Sequence, residues 1–61
     1  METQYLNIRE VARQLRVGYG TVRKLLKAGD LESYKIGAQW RITQEQVDAY
    51  LEKTKTRVAS N

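Results

Sequence analysis

The sequence predicts a mainly α-helical domain with one small β-hairpin. Two apolar stripes at helical spacing stand either side of a short glycine-bearing break. Two β-compatible runs then flank a glycine turn, and a third helical stripe follows a capping signal. At 61 residues the chain is one domain at most. A domain of ~60 residues buries only about 60% of its unfolded surface and is marginally stable. With no Cys and no His, disulfide staples and Cys/His zinc sites are excluded, so the fold must rest on a single apolar core.

Tyr5-Leu6 reads as a short extended lead-in or minimal strand. Asn7 is placed as an N-cap with Glu10 three residues on, the spacing of a capping box. Ile8, Val11, Ala12 and Leu15 then share one helical face, which predicts a first helix over Ile8 to Leu15. Val17-Gly18-Tyr19-Gly20 interrupts the stripe, with Gly18 as a turn residue or a poor N-cap. Val22, Leu25 and Leu26 make the second stripe, and Gly29 fits the residue just past a helix end, where φ is often positive. The second helix is therefore expected over Tyr19 to Ala28. Two short amphipathic helices joined through a glycine-containing turn form a helix-turn-helix signature.

Leu31 is expected to close the core beneath the second helix. Ser33-Tyr34-Lys35-Ile36 and Trp40-Arg41-Ile42 read as two strands around a three-residue loop, Gly37-Ala38-Gln39. Ile36, Trp40 and Ile42 are expected to point inward, leaving Lys35 and Arg41 outward. Thr43 with Gln46 is a second capping box, and Val47, Tyr50 and Leu51 make the apolar face of a last helix over Gln44 to Lys53. This divides the chain into a flexible N-terminus (1–4), a folded domain (5–53) and a disordered basic tail (54–61).

The formal net charge is +4. Between Arg9 and Arg41 the basic residues Arg9, Arg13, Arg16, Arg23, Lys24, Lys27, Lys35 and Arg41 outnumber the acidic Glu10, Asp30 and Glu32, so the excess sits in the folded part. That favours a polyanionic partner. Met1-Glu2-Thr3-Gln4 lacks a basic stretch leading into an apolar one, and no apolar run approaches the ~18 residues of a membrane span. A soluble, cytoplasmic protein with no membrane partner is expected. There is no His, no Cys and no Gly-rich phosphate loop, and Glu10 and Glu45 are explained as helix-start residues, so no enzyme activity, cofactor or metal site is expected.

The ordered set Tyr5-Leu6-Asn7-Ile8-Arg9-Glu10-Val11-Ala12, Leu15-Arg16-Val17, Thr21-Val22-Arg23-Lys24-Leu25-Leu26, Gly29-Asp30-Leu31, Lys35-Ile36-Gly37, Trp40-Arg41-Ile42, and Val47, Tyr50 and Leu51 closely resembles the excisionase family of winged helix-turn-helix proteins. These are related to the DNA-binding domains of MerR-type regulators. The resemblance covers roughly residues 5 to 52. It departs at Gly18, where family members usually place Ser, Thr or Asp as the cap of the recognition helix. Gly there costs only a few tenths of a kcal/mol.

The resemblance implies that the second helix enters the major groove of duplex DNA, with its cationic side outward. Arg23 is then the leading candidate for a guanine or phosphate contact, because its planar fork matches either. Lys24 and Lys27 are assigned to phosphates, setting affinity and salt dependence. Tyr19 and Thr21, in the first turn, are candidates for phosphate or base edges. The alternatives are a partly buried aromatic for Tyr19 and a secondary cap or packing residue for Thr21. Gly20 costs the helix ~1 kcal/mol relative to Ala, and either permits close approach to the DNA backbone or is a local accident of sequence. In the hairpin, Lys35, Gln39 and Arg41 are expected along the flanking backbone or minor groove. The alternative for the two charges is protection of an exposed strand edge. Trp40 is assigned to the core rather than to a stacking platform. Arg16, in the turn, is expected to reach a phosphate, whereas Arg9 and Arg13 read as solvated. Lys53, Lys55 and Arg57 add non-specific attraction or contact a neighbouring molecule on DNA.

The function implied is sequence-specific binding of double-stranded DNA by an accessory factor. Such a factor bends DNA and assists an integrase in site-specific excision, with side-by-side self-association on DNA. A small transcription regulator is the competing reading, and a protein- or RNA-interaction module a further one. Duplex RNA has a deep, narrow major groove that a helix does not readily enter, which weighs against RNA.

Overall fold

The computed structural model describes residues 4–55. In chain order the elements are β1 (Tyr5–Leu6), α1 (Ile8–Leu15), α2 (Tyr19–Ala28), β2 (Tyr34–Ile36), β3 (Gln39–Thr43) and α3 (Gln44–Thr54). The result is a small, mainly helical domain with three helices and a small antiparallel hairpin. The hairpin's inner strand, β3, also pairs with β1, so the strand order is β1-β3-β2.

The helix boundaries follow from local chemistry. At the start of α1 the Asn7 side chain accepts from the Glu10 N–H at 2.8 Å, and the Asn7 N–H donates to Glu10 Oε1 at 2.9 Å. Two of the backbone donors stranded at a helix start are thus satisfied reciprocally. At the start of α3 the Gln46 N–H donates to Thr43 Oγ1 at 3.1 Å, while the Thr43 N–H donates to Gln46 Oε1 at 2.9 Å. Thr43 is buried and also pairs with Tyr5, so one residue ends a strand and opens a helix.

Both earlier helices end in the same way. Gly29, at φ 82°, lets the Asp30 N–H reach Leu25 O at 3.0 Å. Arg16, at φ 58°, lets the Val17 N–H reach Ala12 O at 3.0 Å. These bonds satisfy carbonyls that a helix end leaves open. Nothing in the sequence marked Arg16 as a left-handed residue, because the conformation normally favours Gly or Asn.

The core is Ile8, Val11 and Ala12 of α1, Val22 and Leu26 of α2, Leu31, Ile42 of β3 and Val47 of α3. Leu6, Leu15, Leu25, Trp40 and Tyr50 pack against it from its margins. Every element except β2 therefore supplies apolar surface, which is how so short a chain assembles one core. Gln14 and Gln44 exchange side-chain amide bonds of 2.8 and 3.0 Å, tying α1 to the start of α3. The Lys53 ammonium donates to Asp30 O at 2.6 Å, tying the end of α3 to the turn after α2.

The hairpin departs from expectation. Ile36 pairs with Gln39, Lys35 with Trp40 and Tyr34 with Arg41. The turn therefore has two residues, Gly37-Ala38, and Gln39 belongs to β3 rather than to the loop. Gly37 has φ 64° and Ala38 is not among the positive-φ residues, the sign pattern of a type II′ turn with Gly in first place. Removing one residue from the expected loop shifts the pairing by one, which moves each β2 side chain to the opposite sheet face. Ile36, expected inward, is 51% exposed and lies on the face of Tyr34 and Arg41. Lys35, expected outward, shares the face of Trp40 and Ile42. On that outer face the Tyr5 and Tyr34 rings meet edge to face with centroids 6.0 Å apart.

Two further expectations change at α3. Leu51, expected on the apolar face, is 48% exposed, while Val47 and Tyr50 make the contacts with the core. The helix runs one residue past its expected end, to Thr54, whose hydroxyl donates to Tyr50 O at 3.0 Å. The expected basic tail lies outside the described residues beyond Lys55, and the expected N-terminal segment lies outside them except for Gln4. No helix among the described residues is long and apolar enough to cross a membrane.

Candidate nucleic-acid interface

The side chains of α2 divide by rotation about its axis. Val22 and Leu26 are buried and Leu25 is half-buried, so the turn following Gly18 docks its aliphatic side on the core. Residues four apart lie nearly above one another on a helix. Tyr19 and Arg23 therefore share one exposed edge, with Gly20, Lys24 and Lys27 on the outward arc beside it. Thr21 is exposed on the far edge, next to Leu25, which removes the inward-packing alternative for it. Tyr19 is 49% exposed, so its ring is half open to solvent at the turn.

The Tyr19–Arg23 edge faces the hairpin across an open cleft of about 470 Å³. Asn7, Ile8 and Arg9 at the start of α1 line it with Tyr19 and Arg23 of α2, and Lys35, Ala38, Gln39, Trp40 and Arg41 of the hairpin complete it. Four of these residues, Arg9, Arg23, Lys35 and Arg41, are cationic and none is acidic. Concave walls of one sign concentrate the field of their charges toward an incoming anion.

The hairpin register explains why Lys35 contributes. Its position opposite Trp40 brings Nζ to 4.6 Å from the indole ring centroid. A cation over an indole face is worth about 0.5–1 kcal/mol at an exposed site. Trp40 itself is half-buried and packs against the core, so it forms a wall shared by core and cleft. The start of α2 adds to the positive character. Gly18 supplies no side-chain cap and the first turn holds no acidic residue, leaving the positive end of the helix dipole unopposed within the helix.

The structure thus brings together five of the expected site residues, Tyr19, Arg23, Lys35, Gln39 and Arg41, on one cleft. It leaves Gly20, Lys24 and Lys27 on the adjoining outward arc, and Arg16 and Thr21 exposed elsewhere. Arg9 is the residue that sequence reasoning undervalued. Its helical position marked it only as polar. The capping box at Asn7 fixes where α1 begins, but that this start lies at the cleft's edge is a tertiary fact with no local signal.

A family model described as "Helix-turn-helix domain" matches residues 5–55, which includes all six elements. The uncharacterized protein YvgK of Bacillus subtilis (strain 168) is 40% identical over 58 residues. That match covers 95% of this chain and 18% of the relative, so the chain spans less than a fifth of that protein's length. No solved structure matches the chain.

Proposed function

The chain belongs to the helix-turn-helix domain family, and we propose that it binds double-stranded DNA sequence-specifically, with α2 as the recognition helix and the β2–β3 hairpin as a wing. The cleft between α2 and the hairpin, whose four charged lining residues are all cationic, carries this reading. A duplex laid across it meets Lys24 and Lys27 on the outward arc of α2 and Arg9, Arg23, Lys35 and Arg41 along the groove wall. Arg23 is assigned to base edges, and Lys24, Lys27 and Arg16 to phosphates. Tyr19, Thr21, Gln39 and Arg41 complete the contact surface. No catalytic role is assigned to any residue.

The biological role that fits best is an excisionase-type accessory factor. It would bend DNA, assist an integrase and associate side by side with its own copies, acting in the cytoplasm. This rests on the resemblance of residues 5 to 52. Transcriptional regulation is the second reading.

Footprinting on DNA flanking the protein's own gene, with bending measured in the same samples, separates the two. A phased array with a bend supports the first reading and a single promoter site the second. On the site so found, Arg23→Ala should cost about 1–3 kcal/mol and relax choice at one or two base pairs. Lys27→Ala should weaken all sequences alike and lower the salt slope by about 0.9. Arg23→Ala that behaves only as Lys27→Ala does would remove the base-reading assignment. Indifference of the wild-type protein to duplex DNA at low salt would end the proposal.

A further inference from the structure

Two of the four glycines have a conformational reason to be glycine: Gly29 and Gly37 both sit at positive φ. A third, Gly18, is an N-cap, where glycine is tolerated. Gly20 has neither reason. It lies inside α2 without a positive φ, and a Cβ built there meets nothing within 4 Å. The fold has room for alanine, and alanine is the better helix former. A small domain therefore keeps a weak residue in its recognition helix with no internal packing that requires it. Gly20 also sits on the outward arc, one turn before Lys24 and beside the cleft residue Tyr19.

We propose that Gly20 is the point of closest approach between α2 and a DNA strand, its bare backbone seated against the sugar-phosphate chain where a methyl group would collide. The inference rests on the DNA-binding reading above and adds a specific requirement to it. A side chain absent at residue 20 lets the first turn of α2 lie closer to the strand, so that Lys24 and Tyr19 reach it together.

The test is Gly20→Ala, with melting temperature and duplex affinity measured on the same preparation, after wild-type binding to the footprinted duplex is established. The expected result has opposite signs. The free protein melts a few degrees higher, because helix propensity improves without a clash. Duplex affinity falls about tenfold or more, because an added group in a closely packed contact forces the surfaces apart. A variant that melts higher and binds as tightly as wild type, or more tightly, overturns the proposal while leaving DNA binding intact. A variant that melts lower overturns it too, since the fold itself would then require the glycine. Failure of the wild type to bind any duplex removes the underlying reading, and this inference with it.

Discussion

Arg9 and Arg13 offer a controlled comparison, because they are one turn apart on the same helix and carry the same charge. Arg9 lines the cleft and Arg13 does not. Each phosphate neutralised on a duplex contributes about 0.9 to the slope of log affinity against log salt. If Arg9, Lys35 and Arg41 each meet one phosphate, together they supply about 2.7 of that slope. Arg9→Ala should therefore lower the slope by about 0.9, so that between about 50 and 200 mM salt the wild type loses about 3.5-fold more affinity than the variant does. Arg13→Ala removes the same charge from outside the cleft, and the Debye length of about 8 Å at physiological salt screens most of its influence. Its slope should stay close to wild type. Fluorescence anisotropy on a labelled duplex, titrated at four or more salt concentrations, measures both. Equal slope losses from the two variants would refute the idea that the cleft defines the contact surface.

Three other outcomes test the fold and the site. Ile36→Thr should change stability by less than about 0.5 kcal/mol, whereas Ile42→Ala, at a residue with no solvent exposure, should cost about 2–5 kcal/mol; chemical denaturation reads both, and a large loss from Ile36→Thr would contradict the two-residue turn. Thr43→Ala removes the acceptor of the α3 capping box and should cost about 1–2 kcal/mol, a drop of roughly 4–8 °C in melting temperature per kcal/mol by calorimetry; an unchanged melting temperature would mean that the cap contributes nothing. Trp40 is the sole tryptophan and lines the cleft, so its emission should shift when duplex binds, and an unaltered spectrum at saturation would place the duplex elsewhere.

Much of the fold was legible because its signals are local. Asn7 with Glu10, Thr43 with Gln46, and Gly29 each act within a few residues, and each sits where the sequence placed it. The stripes of α1 and α2 were legible for the same reason, since burial follows the helical repeat. The hairpin register was not, because it depends on whether Gln39 closes a loop or opens a strand. That choice is settled by pairing along all of β3, including its second partner β1. Leu51 misled through periodicity alone: it lies next to the buried stripe of α3 but beyond the neighbours that would cover it. In the site, Tyr19, Arg23, Lys35, Gln39 and Arg41 were named from the sequence, yet their meeting on one cleft is a tertiary fact. Arg9 joins them only because the start of α1 lies across from the hairpin.

The Gly37-Ala38 turn has a consequence for what holds an ammonium in the groove. Were Gln39 drawn out of its strand into a three-residue loop, β2 would turn over like a page, setting Ile36 across from Trp40 and Lys35 across from Arg41 on the opposite face. One cation of the wall would give way to a greasy side chain without any amino acid being replaced, while the two arginines contributed by the helices stayed where they are. The placement of that ammonium is thus written in the parity of a loop.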